Sequence, residues 1–252
     1  MELTLQTFLI VCPLVFLGGF VDAVAGGGGL IALPAYLLAG VPMHNAIATN
    51  KLSSATGTVF STIRLCKNKF VDWGLAVPCV SMALLGSYIG ANLALLASDR
   101  LLKMMLIPVL PIVAFYVLKK KDLDHDGEVT ISRRRQWVIC GISSLIVGCY
   151  DGFYGPGTGT FLLLLYTGLG KLHVREASGN MKLANLSSNV AAMVVFLFSG
   201  KILYPLGLAA AVFSIAGHYT GAGMVMKNGS KIVRPVILIV ITLLFIKIIA
   251  DF

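Results

Sequence analysis

Twice in this chain an aspartate is followed, four residues on, by a glycine cluster set within apolar sequence. The first copy is Val21-Asp22-Ala23-Val24-Ala25-Gly26-Gly27-Gly28-Gly29, and the second is Tyr150-Asp151-Gly152-Phe153-Tyr154-Gly155-Pro156-Gly157-Thr158-Gly159. Glycine costs about 1 kcal/mol in a helix interior and proline about 3. In hydrocarbon a break also frees N–H and C=O groups, which persist only where protein buries them or where they line a cavity. Two broken helices are therefore expected at the centre of the molecule. With 57% hydrophobic and 12% charged residues and a mean hydropathy of +0.88, the chain lies far from a soluble domain and reads as an all-α polytopic membrane protein.

The two copies belong to a longer duplication. Asp22 and Asp151 stand 129 residues apart, and beyond the glycines the offset becomes 131: Lys51-Leu52 falls on Lys182-Leu183, and Gly86-Ser87-Tyr88 on Gly217-His218-Tyr219. The repeat covers about 115 residues. Each half reads as an interrupted apolar stretch, 5–40 or 137–168, followed by three spans of the length a bilayer requires. The expected spans are 46–66, 74–97 and 101–118 in the first half, and 177–199, 205–226 and 235–250 in the second. The interrupted stretches suit re-entrant hairpins with the glycines at the tip. This gives an N-terminal repeat over 1–118, a charged cytoplasmic connector over 119–135 and a C-terminal repeat over 136–252. With the hairpins returning to their starting side, 14 basic residues fall on one side and Arg100, Lys103 and Lys201 on the other. The first side is then cytoplasmic, with both termini outside. Three crossings per half make the duplication an inverted repeat, the plan of many secondary transporters.

Several other classes are excluded. The net charge of +9 sits in short loops between apolar runs, which indicates orientation in a membrane rather than nucleic-acid binding. Cysteines 12, 66, 79, 140 and 149 have neither disulfide nor metal-ligand spacing, and nothing calls for a metal or cofactor. Ala23-Val24-Ala25 looks like a signal-peptidase site, but the N-terminus carries Glu2 and no basic residue, so the segment is expected to stay. Asp122, Asp124, Asp126 and Gly127 open like a calcium loop, yet its twelfth position is Arg133 where a bidentate Glu is required, so a solvated connector is expected. Gly155 to Gly159 is followed by no Gly-Lys-Ser/Thr, which removes the nucleotide loop. An intramembrane aspartyl protease needs two carboxyls sharing a proton, whereas lysines at the same depth would keep Asp22 and Asp151 ionised. No enzyme is expected.

The candidate site lies where ionisable residues enter the membrane. Lys51, Ser54 and Thr58 stand at i, i+3 and i+7, and Lys182, Asn185 and Asn189 repeat that spacing, so each set lines one helix face. Beside them, Gly27 and Gly28 in the first break and Gly157 and Thr158 in the second would present N–H groups at a helix start. Cations, amides, hydroxyls and helix N-termini together describe a site for a small oxyanion. The alternative is that Lys51 pairs with Asp22 and Lys182 with Asp151 as structural links within each half. Asp22 and Asp151 are assigned to hairpin anchoring or proton coupling, and His218 to a helix contact or a proton relay. Gly86 with Gly90 and Gly217 with Gly221 are GxxxG pairs, suited to packing within a protomer or across a homodimer. Besides a carrier, an anion channel could use the same lysines.

Gly18-Gly19-Phe20-Val21-Asp22 through Gly29, Leu33-Pro34, Ala48-Thr49-Asn50-Lys51-Leu52, and in the second half Asp151 to Gly159 with Lys182-Leu183-Ala184-Asn185, resemble the TauE/SafE family of sulfite exporters. The resemblance covers nearly the whole chain. It implies a multi-pass carrier in a bacterial or archaeal cell membrane for small, often sulfur-containing anions such as sulfite, sulfoacetate or thiosulfate.

Overall fold

The structure is a computed structural model, and it describes residues 3–98, 101–102 and 131–228. Among these there are eight long or medium helices and no strand: α1 Leu5–Ala25, α2 Gly29–Leu38, α3 Met43–Lys67, α4 Trp73–Leu96, α5 Arg133–Phe153, α6 Thr158–Gly168, α7 Val174–Phe198 and α8 Tyr204–Asn228. The lengths run 21, 10, 25 and 24 residues in the first half and 21, 11, 25 and 25 in the second, so the duplication is visible in the elements. Most of the expected third spans, and the connector up to residue 130 with its calcium-loop resemblance, lie outside the described residues. Arg133, Arg134 and Arg135 form the first turn of α5.

Local signals account for the element ends. Thr4 caps α1, accepting the Thr7 N–H, and α1 stops where Gly26 takes a positive φ of 75°. Asp72 caps α4 by accepting the N–H groups of Gly74 and Leu75 at 3.0 and 3.3 Å. Arg64 and Lys67 occupy the last turn of α3, where the helix dipole favours cations. Among the described residues four helices, α1, α4, α7 and α8, are long and apolar enough to cross a membrane. At about 1.5 Å per residue, 21-residue α1 is about 31 Å long, whereas ten-residue α2 is only about 15 Å. Both hairpins therefore have one long and one short arm. Leu5, Leu9, Val77, Leu85, Ile146, Leu208 and Val212 are exposed, an apolar exterior suited to lipid.

Contacts exchange between the halves in matching pairs. α1 packs on α8 and α5 on α4, while α3 also contacts α8 and α7 contacts α4. Gly86 and Gly90 let α4 approach the backbone of α5 at Leu145 and Cys149, and Gly217 and Gly221 do the same for α8 against Phe16 and Phe20 of α1. The GxxxG glycines thus serve packing inside one protomer. Helices α3 and α7 meet at the centre. Two apolar clusters cap the opposite ends of α3, one taking Met43, Ala46, Ile47 and Ala48 and the other Leu65. Between them α3 buries Thr49, Asn50, Lys51, Ser53, Thr58, Ser61 and Thr62. This polar face packs against protein, while Phe60 and Ile63 on the same helix are exposed; its polar residues keep α3 out of the apolar spans.

Candidate functional site

The two breaks touch each other. A Cβ on Gly26 would lie 2.2 Å from the Gly159 carbonyl carbon, and one on Gly159 would lie 2.4 Å from the Gly26 Cα, so only glycine permits this approach. Thr160 closes the contact, donating its N–H to Gly26 O at 3.2 Å and its hydroxyl to Ala25 O at 2.8 Å. With the tips in contact, each hairpin delivers its aspartate to the central helix of the other half.

The ion pairs are consequently crossed. Lys51 on α3 lies 2.8 Å from Asp151 Oδ2, and Lys182 on α7 pairs with Asp22 Oδ2 and also donates to the Asp22 backbone carbonyl. Pairing within each half, of Lys51 with Asp22 and Lys182 with Asp151, does not occur. Lys51 and Lys182 are only 2% and 0% exposed, so each ammonium is stabilised by its carboxylate and not by water. The pairs tie helix of one half to hairpin of the other.

The surroundings of the two carboxylates differ. Asp151 Oδ1 lies 2.7 Å from the Thr158 hydroxyl, and Asp151 Oδ2 accepts from Ser188 Oγ at 2.7 Å. Lys51 also donates to Asn189 Oδ1 at 3.2 Å, and Asn189 in turn donates to Asn185. Asp22 Oδ1 instead accepts the Gly28 N–H at 3.2 Å, while its Oδ2 lies 3.1 Å from His218 Nε2. Thr58 Oγ1 lies 3.3 Å from the same imidazole nitrogen. The stripe of Lys51, Ser54 and Thr58 is thereby divided. Lys51 belongs to the Asp151 cluster and Thr58 to the Asp22 cluster, while half-buried Ser54 bonds back to Asn50 Oδ1 at 3.4 Å. In the other stripe Lys182 joins Asp22, and Asn185 and Asn189 join Lys51.

At the breaks, the Gly28 and Thr158 N–H groups, two of those expected to face an anion, donate within the protein. Gly28 donates to Asp22, Thr158 to Gly155 O at 3.3 Å and Thr160 across the tips, while Gly27 and Gly157 accept from Leu30 and Phe161. Ser188 was not singled out from sequence. Its signal lies in the 131-residue offset, at which Ser188 aligns with Gly57 while His218 aligns with Ser87. Among the described residues no cluster of His, Cys, Asp and Glu is arranged to hold a metal ion.

A family model described as sulfite exporter TauE/SafE matches residues 11–248. A probable membrane transporter protein, ORF9 of Sinorhizobium sp, is 35% identical over 250 residues, covering 98% of this chain and 93% of that protein. The probable membrane transporter protein YfcA of Escherichia coli K12 is 33% identical, covering 98% and 94%. One from Haemophilus influenzae is 31% identical, covering 100% and 98%. No solved structure matches the chain. A glycine-broken, duplicated helical fold with an apolar exterior, matched along nearly its whole length in this way, belongs to the TauE/SafE sulfite exporter family of membrane transporters.

Proposed function

We propose that this transporter carries small oxyanions, of the sulfite, sulfonate or thiosulfate class, bound at the level of the two ion pairs and exchanged between the two faces by inverted repeats. The observation that carries this reading is the pair of buried lysines, one on the central helix of each half and each tied to the hairpin of the other half. An ammonium has three N–H donors. Lys51 directs them at Asp151 and Asn189, and Lys182 at the carboxylate and the backbone carbonyl of Asp22, which leaves each with capacity for one oxyanion contact. Thr58, Asn185 and Asn189 add polar groups, with Ser54, Gly27, Gly28, Gly157 and Thr158 at the margins. An oxyanion that draws a lysine toward itself weakens that lysine's hold on its aspartate, and so loosens one hairpin while the other stays latched.

The test is uptake by proteoliposomes of sulfite, thiosulfate and methanesulfonate. A carrier saturates and exchanges internal for external anion, and Lys51→Met or Lys182→Met abolishes this. Discrete unitary currents in a planar bilayer would replace the carrier by a channel.

A further inference from the structure

The two lysines and two aspartates balance, so the site as a whole owes its charge to His218. This imidazole is 2% exposed, and its Nδ1 lies 2.9 Å from Ser214 O. A carbonyl oxygen only accepts, so Nδ1 bears a hydrogen whenever it bonds there. On the other side Nε2 lies 3.1 Å from Asp22 Oδ2, which as an ionised carboxylate also only accepts. Two lone pairs do not meet at that distance, so Nε2 bears a hydrogen toward the ionised carboxylate, and the ring is a cation whenever Nδ1 donates to Ser214 O instead of accepting from Ser214 Oγ at 3.3 Å. When the Nε2 hydrogen leaves, Nε2 can accept instead from the Thr58 hydroxyl at 3.3 Å. The charged groups facing the ring are Asp22 from α1 and, on the same carboxylate oxygen, Lys182 from α7. From α3 it meets Thr58 and Gly57, from α1 Gly19, and from its own helix Ser214. Arg64 of α3 is turned to the ring and carbonyl of Tyr219.

The other half has no counterpart. At the 131-residue offset, His218 corresponds to Ser87, Gly57 to Ser188 and Ser214 to Ala83. A Cβ on Gly57 would lie 2.5 Å from His218 Nδ1 and 2.3 Å from Ser214 Oγ, so the imidazole occupies the space that Ser188 fills beside Asp151. Hydroxyl groups hold Asp151, whereas an imidazole, which can carry a second proton and a positive charge, holds Asp22. Duplicated sites have thus become one that can gain charge and one that cannot.

We propose that His218 carries the coupling proton of this transporter: the second proton on its ring gives the buried cluster one net positive charge, which the transported anion balances, so anion and proton cross together. This rests on the anion-carrier reading. Release of both on the far side restores the neutral imidazole and the balanced pairs.

The full-length protein is reconstituted with a pH dye inside the vesicles and offered methanesulfonate, whose single charge the proton balances, or thiosulfate, of whose two charges it balances one; neither charge changes across the neutral range. Wild type is expected to acidify the lumen as the anion enters, with uptake falling as external pH rises and the supply of protons to the ring declines. His218→Gln, which can hydrogen-bond Asp22 but cannot become a cation, is expected to lose both the acidification and the pH dependence. Should that variant misfold, the triple change Gly57→Ser, Ser214→Ala and His218→Ser installs the residues of the other half and is expected to fold and show the same loss. In parallel, nitrogen NMR of histidine-labelled protein, with His218 assigned by its absence in the variant, is expected to show the ring titrating and its midpoint rising when the anion is added. Acidification retained by either variant, or a ring whose nitrogen signals do not change with pH in wild type, overturns the proposal. Wild-type vesicles that take up neither anion overturn the carrier reading instead, which the ring titration tells apart.

Discussion

Replacing Lys51 by methionine keeps most of the side chain's volume and removes its charge. Asp151 is then a buried carboxylate with no cation, a change that costs about 3–5 kcal/mol. The Thr158 and Ser188 hydroxyls, both at 2.7 Å, remain as donors, so a loss of about 3 kcal/mol is expected. Lys182→Met should cost less, about 2 kcal/mol, because Asp22 keeps the Gly28 N–H and can take the proton shared with His218. Adding Asp151→Asn to Lys51→Met removes the stranded charge and should recover the stability to within about 1 kcal/mol. Adding Asp22→Asn to Lys51→Met should recover nothing, since it strands Lys182 as well. Thermal unfolding of the purified variants in detergent, followed by the monodisperse fraction, reads all of these. Rescue by Asp22→Asn and not by Asp151→Asn would refute the crossed pairing. The rescued Lys51→Met/Asp151→Asn protein should still fail to transport, and full transport by it would show that Lys51 does not touch the anion.

Gly26→Ala should prevent assembly, because its Cβ meets the Gly159 backbone, whereas Gly40→Ala, at a φ of 79° with open space around it, should cost about 1–2 kcal/mol; expression as folded protein separates them. A single cysteine at Lys201 should react with an impermeant reagent in intact cells, while one at Lys69 should react only after the membrane is opened. At the surface, partial burial works to raise the Asp72 pKa, but the Arg133 guanidinium and the Gly74 and Leu75 N–H groups outweigh it and hold the carboxyl below its ordinary 3.8. With the folded value depressed, the resulting stability is in place above pH 3.8 and disappears as pH falls through the folded value. Asp72→Asn should therefore cost under about 1 kcal/mol at neutral pH, less in high salt, and converge with wild type in acid unfolding curves.

Composition, glycine spacing and the self-match of the chain determined that it is helical, membrane-embedded, duplicated and broken twice, since these follow from local propensity and from the bilayer's demand that backbone groups be paired. They also marked Lys51, Lys182, Asp22 and Asp151 as special, because ionisable residues are costly at such depth. Which lysine meets which aspartate was not legible. Two near-identical motifs offer the same chemistry to each other as to themselves, and nearness in sequence favours the wrong partner. Only the packing of α1 on α8 and the contact of Gly26 with Gly159 place each hairpin against the central helix of the other half. How the donors at the breaks are used was not legible for a related reason: a freed N–H is visible in sequence, but the donation from Gly28 to Asp22 six residues away depends on how the chain turns. His218 was visible as a lone histidine, yet its setting between Asp22, Thr58 and Ser214 exists only because Gly57, on another helix, leaves it room.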